Sequence, residues 1–133
     1  MANAEVERIA IDLVMQLERH AGREPVDVHN CGTPYDIASP PRKIEVKAVS
    51  GSARGAPIPL EQRQVHAALD DPDNYYVYVV DNIASGPLTA EIRVLHGDFL
   101  RKMLDGCKPH ITYWPTFRAG IYDQMSTGLE GNA

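Results

Sequence analysis

The stretch Tyr35-Asp36-Ile37-Ala38-Ser39-Pro40-Pro41-Arg42-Lys43-Ile44-Glu45-Val46-Lys47-Ala48-Val49 decides how this chain folds. Residues 43 to 49 alternate polar and apolar, the period of a half-buried strand. Ile44, Val46 and Ala48 face a core, and Glu45 and Lys47 stand side by side on the opposite face. Ser39-Pro40-Pro41 breaks the chain just before this strand. The segment carrying Asp36 then folds back beside it as a hairpin. Two carboxylates and one ammonium converge on one face of a small sheet.

Asp36 and Glu45 are hard oxygen ligands of the kind Mg²⁺ takes, one or two carboxylates with several waters kept. Such an ion lowers the pKa of bound water and neutralises phosphate charge. Lys47 supplies fixed positive charge where a pentacoordinate phosphate develops. The pattern is that of a divalent-metal phosphodiesterase. Exposed Glu and Lys on a strand are also the ordinary composition of a solvated face.

Working outward, residues 4 to 21 read as an amphipathic helix. Val6, Ile9, Ala10, Leu13, Val14 and Leu17 recur at helical spacing. Asn3 is placed to cap its start and Gly22 to end it. Glu7 and Glu18 fall at one edge of the apolar stripe. Residues 26 to 30 alternate like a strand, and Cys31 to Pro34 turn. After the Glu-x-Lys strand, residues 50 to 57 form a small-residue loop expected to be mobile. Residues 60 to 69 read as a helix with Leu60, Gln64, Val65, Ala68 and Leu69 near one face. Tyr75-Tyr76-Val77-Tyr78-Val79-Val80 is the strongest strand, β-branched and aromatic, as expected for a central strand buried on both faces. Residues 90 to 95 form another strand. Asp98 is placed to cap a short helix over 99 to 105, ended by Gly106. The order of helices and strands implies a layered α/β domain over residues 1–125, with 126–133 as a disordered tail.

Composition narrows the class. The chain has 133 residues and a net charge of −5. That length is one domain, and the acidic balance argues against simple non-specific DNA binding. No apolar run is long enough for a transmembrane helix. The N-terminus lacks the pattern of a secretory signal, so a cytoplasmic location is expected. Cys31 and Cys107 read as reduced thiols, and the five histidines show no zinc-ligand spacing.

Several motifs in order resemble a family. The α-β-β-β-α-β order, with Asp on one strand and Glu-x-Lys on the next, resembles the PD-(D/E)XK nuclease superfamily. Within it, Val6-Glu7, Glu18, Gly22-Arg23, Tyr35-Asp36-Ile37-Ala38-Ser39, Ile44-Glu45-Val46-Lys47 and Tyr76-Val77-Tyr78-Val79-Val80 resemble the domain named for the C-terminus of the plant NO VEIN protein, found also in prokaryotic restriction and defence systems. The resemblance covers about residues 5 to 83. It implies a restriction-endonuclease-like three-layer core with a mixed central sheet, and Mg²⁺-dependent cleavage of DNA, with Mn²⁺ as a substitute. Asp36, Glu45 and Lys47 match the triad. Glu7 matches a first-helix carboxylate near the metal, and reads equally well as a surface charge. Gln64 matches a helix position that contacts the metal water or a phosphate, and reads also as a solvated helix-face residue. Glu18 reads as structural. Relatives usually carry Gly before the Tyr-Asp pair, where this chain has Pro34.

A catalytically inactive nuclease-fold module for DNA binding or complex assembly is the second reading, since fold does not fix function. RNA is an alternative substrate. Expected partners are DNA and a second copy or a larger defence complex. Arg93, Arg101, Lys102, Lys108, Arg118 and Trp114 form a candidate DNA-facing edge. Tyr113, Trp114 and Phe117 read more readily as core or interface groups.

Overall fold

The computed structural model describes residues 3–128. Met1, Ala2 and the last five positions of the expected tail lie outside the described residues. Residues 126–128 carry no helix or strand.

The first helix, α1 (Asn3–His20), begins at the residue expected to cap it. Gly22 ends it with φ +83°. The Gly22 N–H donates to the Arg19 carbonyl and the Arg23 N–H to the Glu18 carbonyl, the paired bonds of a Schellman stop. Its buried face is Val6, Ala10, Ile11, Val14 and Glu18. This face is turned from the stripe expected from sequence: Ile11 is buried and Leu17 is 41% exposed. The cause is Glu18, whose polar partners inside the protein draw that side of the helix inward.

Five strands form one sheet in chain order: β1 (Val26–Asp27), β2 (Ile37–Ser39), β3 (Arg42–Ala48), β4 (Tyr75–Asp81) and β5 (Glu91–His96). Pairing is antiparallel except between β3 and β4, which run parallel. The sheet is therefore mixed. Helix α2 (Gln62–Asp70) makes the crossover that a parallel pair requires. Pro40-Pro41 joins β2 to β3, with Ser39 opposite Arg42. The strand expected over 26–30 stops at Asp27. There the Asp27 carboxylate accepts from the His29 backbone N–H at 3.1 Å, and Asn30 turns the chain with φ +66°.

Both faces of the sheet are covered. Ile37, Ile44, Val46, Tyr78 and Val80 pack against α1. Tyr75, Val77 and Val79 pack with Ala68 of α2 and Leu100 of α3 (Gly97–Asp105) on the other side. Alternation along β4 thus feeds two cores, as expected for a central strand. Asp98 does not cap α3; His96 occupies that position and Asp98 lies in the first turn. The expected stop at Gly106 is present. The loop after β3, expected to be mobile, is tied down at several points. The Asn82 and Ala84 N–H groups donate to Gly51 and Ser50, and the Ala53 N–H donates to the buried Asp81 carboxylate at 2.8 Å.

The aromatic tail contains a further short helix, α4 (Ala119–Gln124), that the sequence reading did not anticipate. Tyr113, Trp114 and Phe117 are 85%, 87% and 63% exposed, so they are not core groups. Cys31 and Cys107 are free and exposed, and no described helix is long and apolar enough to cross a membrane.

Candidate functional site

The β2–β3 hairpin builds the site. Its register places Ile37 opposite Ile44, and Asp36 is the residue just before the ladder. The Asp36 N–H donates to the Ile44 carbonyl at 2.9 Å, and the Asp36 carboxylate accepts from the Val46 N–H at 2.9 Å. Asp36 is therefore fixed at both ends at the point where the ladder stops. The Asp36 and Glu45 carboxyls interact directly and line the same cleft, so they share one face. Glu45 and Lys47, two apart on β3, share it too.

This face is not solvated. Glu45 is 5% exposed, and its Oε2 lies 3.2 Å from Lys47 Nζ. Burial pushes the Glu45 carboxyl up, the neighbouring Asp36 charge pushes it further, and Lys47 only partly offsets them; the result is about 7. Lys47 also donates to Gln64 Oε1 at 3.2 Å. Gln64 is buried, and the same oxygen accepts the Glu61 N–H at 2.9 Å at the start of α2. Gln64 is thus no solvated helix-face residue. It anchors the helix start and holds the ammonium in place.

These groups line one open cleft of about 650 Å³. Asp36, Glu45, Lys47, Gln64 and Glu7 all belong to its wall, so the hairpin, α2 and α1 bring all five sequence candidates together. Glu7 is exposed and stands off from the others. Among the described residues no three His, Cys, Asp or Glu side chains gather at metal-ligand spacing. Asp36 and Glu45 remain as a pair of hard oxygen donors, with Glu45 held at the edge of ionisation by burial and by its neighbour's charge. A divalent cation resolves that conflict, so the donor set fits one.

Two residues near the candidates escaped the sequence reading, of which Arg63 alone lines the cleft. Arg63 sits beside Gln64, donates to the Gly32 carbonyl at 3.2 Å and brings a second cation to the rim. Tyr75 donates its hydroxyl to the Pro34 carbonyl at 2.6 Å, which pins the turn ahead of Asp36. Burial pushes its phenol up, so the hydroxyl keeps its proton. Arg63 had a local signal, a helix-start cation next to a candidate. Tyr75 had none, because its partner lies far away in sequence.

Behind the site, Glu18 is fully buried in the middle of a polar cluster. It accepts from Arg23 Nη2 at 2.9 Å, the Tyr78 hydroxyl at 2.8 Å and the Ser39 hydroxyl at 3.0 Å. Burial raises its carboxyl, but these bonds together outweigh burial and the net shift is downward. Glu18 is structural, as read from sequence. It ties α1 to β2 and β4 and so fixes the helix that presents Glu7.

The family model described as "Protein NO VEIN, C-terminal" matches residues 6–94. Neither the curated proteins nor the solved structures give a match to the chain. The matched span holds most of α1, the whole hairpin, α2, β4 and most of β5, and with them Glu7, Asp36, Glu45, Lys47, Arg63 and Gln64. It exceeds half of the chain, and the protein therefore belongs to the NO VEIN C-terminal domain family.

Proposed function

We propose that this protein is a Mg²⁺-dependent endodeoxyribonuclease of the PD-(D/E)XK type, with a restriction-endonuclease-like core, acting in restriction or phage defence. The observation that carries the reading is the convergence of Asp36, Glu45 and Lys47 on one wall of one cleft. Asp36 and Glu45 would hold the cation, with Glu7 reaching it through water. When bound, the cation activates water and neutralises charge on the scissile phosphate, and Mn²⁺ substitutes for it. Lys47 holds positive charge where negative charge develops on the phosphate, and it orients the attacking water. Gln64 keeps Lys47 at that point. Arg63 on the rim takes a neighbouring phosphate. In-line attack by that water forms a new P–O bond as the P–O3′ bond breaks, O3′ takes a proton from solvent water, and the products carry 5′-phosphate and 3′-hydroxyl ends.

End-labelled duplex DNA incubated with the protein and Mg²⁺ tests this reading. Fragments with 5′-phosphate ends, absent with EDTA, are expected. Intact DNA under both conditions, with a metal-independent gel shift, would favour the inactive binding module instead. The net charge of −5 weakens intrinsic affinity for DNA and so favours the complex-assembly form of the second reading over a DNA-binding one. A matched RNA duplex in the same assay separates the two substrates.

A further inference from the structure

The segment from Lys108 to Met125 leaves the body after α3 and shows its apolar side chains to solvent. Ile111, Tyr113, Trp114, Phe117, Tyr122 and Met125 are all more than half exposed. The rings of Phe117 and Tyr122 meet edge to face at 5.4 Å, so the arm is locally ordered. Yet α4 has no extended packing with any other element. At ~200 Å² per ring, the four aromatics alone expose roughly 600 Å². That already reaches the upper end of the largest apolar patch a typical monomer shows, ~300–600 Å².

The same chain carries a bare acceptor. Phe99 and Met103, one helical turn apart on α3, are 68% and 46% exposed. Donor and acceptor are both uncovered on one copy. Two copies satisfy both at once by reciprocal exchange about a two-fold axis, the commonest closed assembly. The aromatic surface of the two arms alone is roughly 1,200 Å², before Phe99 and Met103 are added, which reaches the ~1,200–2,000 Å² of a stable interface. A single-stranded nucleic acid fits less well. The arm bears Lys108 and Arg118 against Asp123, too little positive charge for a backbone track.

We infer that the protein is a homodimer in which the Lys108–Met125 arm of each copy lies across α3 of the other, with Trp114 as its central anchor. The inference does not rest on the nuclease reading.

Trp114 is the only tryptophan, so its emission reports the arm directly. The experiment is light scattering of the full chain over a dilution series, with Trp114 emission read on the same samples. The expected mass is twice 14.7 kDa, with emission shifting to the red as dilution separates the copies. Phe117→Ala is expected to raise the dimer Kd at least about tenfold, as loss of a central aromatic anchor does. Phe99→Ser, on the acceptor side, is expected to do the same and to redden Trp114 emission. Unchanged far-ultraviolet dichroism shows that each variant is folded. A monomer at every concentration would overturn the inference. So would a dimer indifferent to both substitutions, or a monomer whose Trp114 emission is quenched by a single-stranded oligonucleotide.

Discussion

Replacing Glu45 with Gln should reverse the usual sign of a core mutation. Glu45 is 5% exposed and its carboxyl is raised from 4.5 to about 7. Between those pH values the folded chain holds a proton that the unfolded chain has released, so stability falls as pH rises. The penalty begins above 4.5, grows through 7 and is flat beyond. At 1.36 kcal/mol per pH unit, 2.5 units cost about 3 kcal/mol at pH 8. Gln has the same shape as the protonated acid and does not titrate. Glu45→Gln should therefore match the wild type near pH 4.5 and exceed it by about 3 kcal/mol at pH 8, roughly 10 °C in Tm for a domain of this size. Urea denaturation in EDTA from pH 4.5 to 8 measures it, and the difference between the two curves isolates Glu45 from the other carboxylates. Adding Mn²⁺ at pH 8 should then stabilise the wild type and leave the variant unmoved. Parallel curves across the whole range would refute the argument that burial and Asp36 strain this carboxylate.

Three further outcomes follow from the same contacts. Glu18→Ala strips a buried acceptor from Arg23, Tyr78 and Ser39 and should cost about 3–5 kcal/mol by urea denaturation. Because the Glu18 carboxyl is lowered, its stabilisation is present above the ordinary carboxylate range and is lost as pH falls through its folded value. Acid unfolding should accordingly move to higher pH in Glu18→Ala. Tyr75→Phe leaves the Pro34 carbonyl without its hydroxyl donor and should cost about 1–3 kcal/mol, read as a lower urea midpoint at unchanged slope. Asp36→Ala should abolish Mn²⁺ binding by calorimetry at pH 8, and a retained isotherm would remove Asp36 from the donor pair.

Much of this architecture was legible where a single period decided it. The alternation of residues 43–49 and the β-branched run at 75–80 located the two middle strands, and their order with the helices gave the layered class. The candidate cleft was legible for a related reason: Asp36, Glu45 and Lys47 lie on one hairpin, and hairpin register is local. What could not be read depended on distant partners. Glu18 read as structural, but the partners that bury it could not be read, because Ser39 and Tyr78 come from other strands. The first strand ended early because Asp27 captured the His29 N–H, a competition that alternation does not report. Alternation placed Glu45 on the polar face of its strand and did not report its burial. The aromatic tail promised burial by composition, and among the described residues its rings stay largely exposed.

The most direct test of the proposed activity is plasmid nicking by wild type and Lys47→Ala, each with Mg²⁺ and with EDTA. The account predicts nicking by the wild type only with metal, and none by the folded variant. Nicking by Lys47→Ala at the wild-type rate would contradict it, because the ammonium held by Glu45 and Gln64 would then do nothing at the phosphate.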